Sequence, residues 1–191
     1  MPYAPRPAPS PVVAALVAAG VITRDDRVVD LGCGTGTDAV ALARWGVRSV
    51  TGVDKDRRAL AAARRRAKAA RVARHVSFVH GDVTRLGDAF QARSFDVALD
   101  TLLANNLRAD EIDAYARGVS RILARGGLLV VQERVHRWAH ESEGKDVLPM
   151  PPLLARFDFG PTVTTAVPEA PLGLRDPHFA RVAVSVGRNR A

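Results

Sequence analysis

The chain has 191 residues, 47% of them hydrophobic, 5% aromatic and 25% charged, with a formal net charge of +8. That length serves one domain built around a single three-layer core, no internal repeat is apparent, and a single cysteine excludes an intrachain disulfide scaffold. The one cysteine, Cys33, has no intrachain partner, so a cytoplasmic location is expected, and no apolar run is long enough to span a membrane.

Proline-rich residues 2–11 read as an arm, and residues 149–152 and 161–171 as loops. The apolar run Val12–Ile22 reads as a helix and not as a secretory signal, because one arginine and several prolines precede it and a strand follows five residues later. That strand is Arg27–Leu31, with the acid Asp30 near its end. Gly32, Gly34 and Gly36 follow at alternating positions, and a helix opens with Asp38-Ala-Val-Ala-Leu-Ala-Arg44. Strand, glycine-rich turn and helix N-terminus together form an elbow suited to an adenosine-containing cofactor. The spacing is G-x-G-x-G, and Thr37 stands where the third glycine of a dinucleotide fingerprint belongs. Asp30 would repel a pyrophosphate but suits a ligand with an ammonium group, which argues against an NAD-dependent dehydrogenase.

Ser49–Asp54 reads as a second strand ending in an acid placed to accept hydrogen bonds from ribose hydroxyls. The helix after it spans a basic block, residues 56–72, in which Arg57, Arg64, Lys68 and Arg71 can share one face. A third strand, His75–His80, runs into Gly81-Asp82, and a fourth, Ser94–Asp100, into Thr-Leu-Leu-Ala-Asn-Asn-Leu107. Apolar residues at 112, 115, 116, 119, 122 and 123 predict a helix over Ala109–Ala124, stopped by Gly126-Gly127. Leu128–Glu133 reads as a fifth strand, and its apolar run, Leu128–Val131, fits burial on both faces. Residues 180–186 alternate, as a terminal antiparallel strand would, with a partner expected within Phe157–Ala166.

The motif Asp30-Leu-Gly-Cys-Gly-Thr-Gly36 resembles motif I of the class I S-adenosylmethionine-dependent methyltransferases, and Leu123–Val131 resembles their motif before the fifth strand. The block Phe95–Leu107 is similar to that of the small bacterial thiopurine and tellurite-resistance methyltransferases, although Ala104 and Asn105 stand where many of those carry an aromatic and a His. The resemblance implies an α/β, three-layer Rossmann-like fold with a mostly parallel seven-stranded sheet and an antiparallel terminal strand. It implies S-adenosylmethionine as cofactor and S-adenosylhomocysteine as product. Asp30, Gly32, Cys33, Gly34, Thr35, Gly36, Asp54, Lys55, Asp82, Val83 and Asp100 are the candidate cofactor residues, with Asp82 toward the adenine. Cys33 is expected to pack as a small side chain in the loop.

The first helix is then expected near the cofactor mouth, and residues 134–156 as a substrate-side loop. Asp100, Glu133, His136 and His140 are candidate bases, and each has an ordinary alternative as a cap or a surface residue. His136, Trp138, Met150, Phe157 and Phe159 are candidates for the acceptor pocket or, equally, for core. No metal is expected, because Gln132-Glu133 replaces the Asp-Asn pair of the metal-dependent catechol type. Asp100-Thr-Leu-Leu replaces the Asn-Pro-Pro-Tyr block of enzymes that methylate base amino groups. The expected acceptor is a small molecule at sulfur, oxygen or nitrogen. The alternatives are a nucleic-acid methyltransferase using the basic surface and a non-catalytic cofactor-binding protein.

Overall fold

A computed structural model describes residues 8–135, 151–159, 163–166 and 181–191. Its strands are β1 (Arg27–Leu31), β2 (Ser49–Asp54), β3 (Val76–His80), β4 (Phe95–Thr101), β5 (Leu123–Val135), β6 (Phe157–Phe159), β7 (Val163–Ala166) and β8 (Arg181–Asn189). They form one sheet in the order β3-β2-β1-β4-β5-β8-β6, with β7 also paired to β8. β1 to β5 are mutually parallel, and β8 runs antiparallel to β5 and to both β6 and β7. β6 and β7 lie end to end along β8, so eight strands fill seven positions. The expected sheet, and the pairing of the terminal strand with residues 157–166, are both found.

The helices α1 (Pro11–Ala18), α2 (Thr37–Arg44) and α3 (Arg57–Ala69) cover one face; α4 (Leu86–Ala89) and α5 (Ala109–Ile122) cover the other, with α6 (Pro151–Leu154) beside α5. Strand alternation sets this division. Val28 on β1 and Val97 and Leu99 on β4 face the first layer, while Val29, Leu31 and Ala98 face the second. Both faces are dry, which is why these strands read as nearly continuous apolar runs. Among the described residues, no helix is long and apolar enough to cross a membrane.

Two boundaries differ from those expected. α5 ends at Ile122, where Leu123 turns extended (φ −77°, ψ 142°), and not at the glycine pair. The carbonyls of Ser120, Leu123 and Ala124 are taken instead by the Nδ2 of Asn189, at 2.8, 3.2 and 3.3 Å. Gly126-Gly127 lies within β5, in an irregularity where the register passes from Phe95–Leu123 to Val97–Leu128. A Cβ on Gly127 would stand 3.0 Å from the Asp96 carbonyl of β4, so the glycine serves a close strand approach. At the other end of the chain, α1 covers only Pro11–Ala18 of the expected Val12–Ile22, and the remainder is turn.

Candidate cofactor site

Parallel strands leave their carboxyl ends on one side of the sheet, and the connections reverse direction between β1 and β4, where a crevice opens. The glycine loop lies there. Gly32, Gly34 and Gly36 all have left-handed backbones, with φ of 66°, 53° and 72°. Their surroundings differ. A Cβ on Gly36 would stand 2.8 Å from both the Ala63 Cβ and the Phe78 ring, so the start of α2 is pressed onto α3 and β3. A Cβ on Gly34 would meet nothing within 4 Å: this glycine faces open space, where a ligand can approach the backbone. Cys33 packs inward, its Sγ so close to Gly52 of β2 that a Cβ there would be 2.7 Å away. Burial, with Asp30 and Asp54 nearby, pushes its thiol far above the ordinary range, which disfavours the thiolate.

Asp54, at the end of β2, closes the loop. Its Oδ2 accepts the Gly34 N–H at 2.7 Å and its Oδ1 the Asp56 N–H at 2.8 Å. Thr35 accepts from the Arg66 guanidinium at 3.5 Å, and Lys55 is exposed. One strand further out, Asp82 follows β3. Its Oδ1 accepts both the N–H and the hydroxyl of Thr84, at 2.9 and 2.8 Å, and these bonds hold its carboxyl below the usual range. It thereby starts a 3-10 turn, Val83–Arg85, in which Val83 is buried. Gly81, Asp82 and Arg85 help line an open cleft of about 460 Å³.

Asp100, at the end of β4, is wholly buried and turned into the protein. Its Oδ1 accepts from Leu103 N at 2.7 Å and Ala104 N at 3.2 Å; its Oδ2 accepts from the Tyr115 hydroxyl at 2.6 Å. Burial outweighs these bonds and raises its pKa to about 6. The segment it holds is tightly wound. Leu102 has a left-handed φ of 75° and donates its N–H to the Gln132 carbonyl of β5 at 2.9 Å. Leu103 lies against Gly32, where a Cβ would be 2.8 Å from its Cδ1. The loop after β4 is therefore an apolar wall beside the glycine loop.

A polar joint completes the crevice. Buried Asp38, in the first turn of α2, accepts Ser10 N at 2.7 Å and the Thr101 hydroxyl at 3.2 Å. Ser10 in turn donates its hydroxyl to the Gln132 Oε1 at 2.8 Å. Residues just before α1 thus reach the ends of β4 and β5. Ser10, Asp38, Gln132 and Tyr115 were not among the expected site residues. Tyr115 carried a signal, since a phenol on a core-facing helix stripe needs a buried acceptor. The other three carried none, because their partners are far away in sequence. Glu133 follows Gln132 on β5, opposite Ala183. His136, Trp138, His140 and Met150 lie outside the described residues. Phe157 and Phe159 are corrected as pocket candidates: they pair with Asn189 and Gly187, beside the amino-terminal end of β5, at the far end of the sheet from the glycine loop. Phe157 is core.

The sequence pattern of a methyltransferase domain matches residues 28–127, just over half of the chain. The chain belongs to the class I S-adenosylmethionine-dependent methyltransferases. This methyltransferase is 36% identical over 103 residues to the ribosomal protein L11 methyltransferase of Laribacter hongkongensis, a match covering 53% of the chain and 32% of that protein. It spans about a third to a half of the length of the curated relatives it matches. Among solved structures, a protein titled for conversion of a disulfide bond into a thioacetal group during echinomycin biosynthesis has a TM-score of 0.75 at 24% identity. That match covers 98% of this chain and 86% of the other. The N-methyltransferase NodS of Bradyrhizobium japonicum, solved with S-adenosyl-L-homocysteine, has a TM-score of 0.65 at 19% identity, covering 87% and 80%. The residues of this methyltransferase fit that cofactor: an open glycine backbone at Gly34, and the acids Asp54 and Asp82 at successive strand ends.

Proposed function

We propose that this methyltransferase transfers a methyl group from S-adenosylmethionine to a small-molecule acceptor that approaches over the ends of β4 and β5. The observation that carries the reading is Gly34, whose left-handed backbone borders open space and is anchored by Asp54. Each Asp54 oxygen retains a lone pair for a ribose hydroxyl. In this reading Asp82 serves the adenine, Asp30 supplies negative charge for the amino-acid end, and the backbone of Gly32, Cys33, Thr35 and Gly36, with Lys55 and Val83, borders the path between. Bound cofactor supplies a methyl on a sulfonium that leaves as a neutral thioether, so the donor is already activated.

The protein's task is then alignment, which is worth up to roughly 7–11 kcal/mol. Asp100 acts as a positioning residue. All its bonds serve the Leu102–Ala104 wall and Tyr115, so it shapes the surface against which acceptor and methyl meet. Proton removal, where the acceptor needs it, falls to Glu133 or His136. A small acceptor is supported by the apolar Leu103 wall beside the glycine loop. A second reading, a macromolecular acceptor, takes its support from the similarity to the ribosomal protein L11 methyltransferases.

Calorimetric titration with S-adenosylhomocysteine, with NAD as control, tests the site. The expected result is micromolar binding of S-adenosylhomocysteine alone, weakened at least tenfold in D54A while the thermal unfolding transition stays cooperative. Equal binding by D54A, or preference for NAD, would overturn the assignment. Radiolabelled methyl transfer to a panel of thiols, hydroxyls and amines, set beside transfer to ribosomal fractions, separates the two acceptor readings. Binding without transfer to any acceptor would favour a non-catalytic role.

A further inference from the structure

The net positive charge of this molecule is concentrated in one stretch of the chain. Between Lys55 and His75 stand seven arginines and two lysines against a single acid, Asp56, a balance of +8. The net charge of the whole chain is also +8, so everything outside this stretch is neutral overall. On α3, Arg57, Arg58, Arg65 and Lys68 are exposed on the side opposite the buried Leu60, Ala63 and Ala67, and exposed Arg71 and Arg74 follow the helix. Among the described residues, none of these six makes an ion pair.

α5 shows what charge balance looks like in the same protein. Its Asp113 pairs with Arg117, and its Glu111 carboxylate accepts the N–H of Arg108. α3 breaks the same rules. Arg57 and Arg58 stand in its first turn, against the macrodipole, and Lys68 follows Arg64 by four residues and Arg65 by three. Asp56 caps the helix and Arg66 and Lys68 suit its last turn, yet the exposed row of Arg57, Arg58, Arg65 and Lys68 has no acidic partner among the described residues, a departure from local preference that points to function. The remaining face residues are small, Ala61, Ala62, Ala69 and Ala73, so there is no apolar wedge for a lipid surface and no aromatic for stacking on bases. What is left is a row of guanidinium forks about 20 Å long, matched to phosphate oxygens.

We propose that the α3 face is a docking surface for the phosphate backbone of nucleic acid, bound without reading of sequence. α3 packs on β2 and β3, away from β4 and β5, so docking leaves the Leu103 side of the crevice open. The surface does not depend on the acceptor reading above.

Fluorescence anisotropy with a labelled RNA hairpin and a DNA duplex of equal length, from 50 to 200 mM KCl, tests it. Two variants each remove four charges: R57Q/R65Q/K68Q/R74Q on the face, and R48Q/R85Q/R108Q/R190Q elsewhere. Wild type is expected to bind one or both nucleic acids with an affinity that falls steeply with salt. The face variant should lose at least tenfold, with the slope of log K on log salt reduced by about 3. The scattered variant should stay within threefold of wild type. No binding by wild type at 50 mM KCl, equal loss in both variants, or equal competition by polyglutamate would each overturn the proposal. S-adenosylhomocysteine affinity, expected to be unchanged in the face variant, separates this outcome from loss of the fold or of the cofactor reading.

Discussion

At Asp54 the carboxylate accepts Gly34 N–H at 2.7 Å and Asp56 N–H at 2.8 Å, so the loop that would cradle a nucleotide is shaped by its own protein. The two neighbouring glycines answer to different constraints, and substitution separates them. G34A keeps open space around its Cβ and bears only a left-handed backbone, a cost of about 1–2 kcal/mol. G36A adds a collision with Ala63 and Phe78. The expected outcome is that G34A folds but binds S-adenosylhomocysteine at least tenfold more weakly, whereas G36A loses roughly 3 kcal/mol or more in urea unfolding. Asp100 makes the molecule sensitive to pH through the same crevice. Its folded pKa of about 6 lies above that of an exposed carboxyl, so the folded state holds the proton more tightly. That contribution is fully present below pH 4 and is lost as pH rises through 6, by on the order of 3 kcal/mol. The unfolding free energy of wild type minus that of D100N should therefore fall by about that amount between pH 4 and 7. A difference independent of pH would mean that Asp100 titrates as an exposed acid does.

The junction between α5 and β5 depends on a side chain from another element. Buried Asn189 donates to three carbonyls at the end of α5 and accepts the Ser120 hydroxyl at 2.8 Å. N189A leaves those groups without partners in a dry interior, at a cost of about 2–4 kcal/mol. Because Asn189 sits at the end of the sheet remote from the glycine loop, S-adenosylhomocysteine affinity in the absence of denaturant should stay within twofold of wild type. Urea titration and calorimetry on the same sample check both halves. The α5 boundary was misjudged from the sequence for this reason. A Gly-Gly pair after an amphipathic run is a fair stop signal, but the distant Asn189 satisfies the last turn before the glycines arrive. Where local signals acted alone, as at the turn from β1 into α2 or the apolar stripe of α5, the reading held.

For the molecule as a whole, the alternation of apolar strands with helices was enough to infer the layers and the parallel sheet, while the cofactor class came from the glycine motif and its resemblance to a known family. The polar joint of Ser10, Asp38, Thr101 and Gln132 was not legible, since it unites four segments that only the topology brings together. The inward turn of Asp100 was hidden for the same reason: its strand-end position suggests a ligand as readily as a loop and a tyrosine. The placement of β8 has a further consequence, which concerns how the protein is made. β8 follows β6 and β7 in the sequence, yet it lies between β5 and the β6–β7 edge. During synthesis the long apolar run of β5 must wait for it with an open row of backbone donors and acceptors. Such an edge is a template for another chain to add to. Synthesis that slows or stops before β8 would therefore favour intermolecular strand pairing along β5, and the arrival of β8 closes that route at the same moment that it attaches the far edge of the sheet.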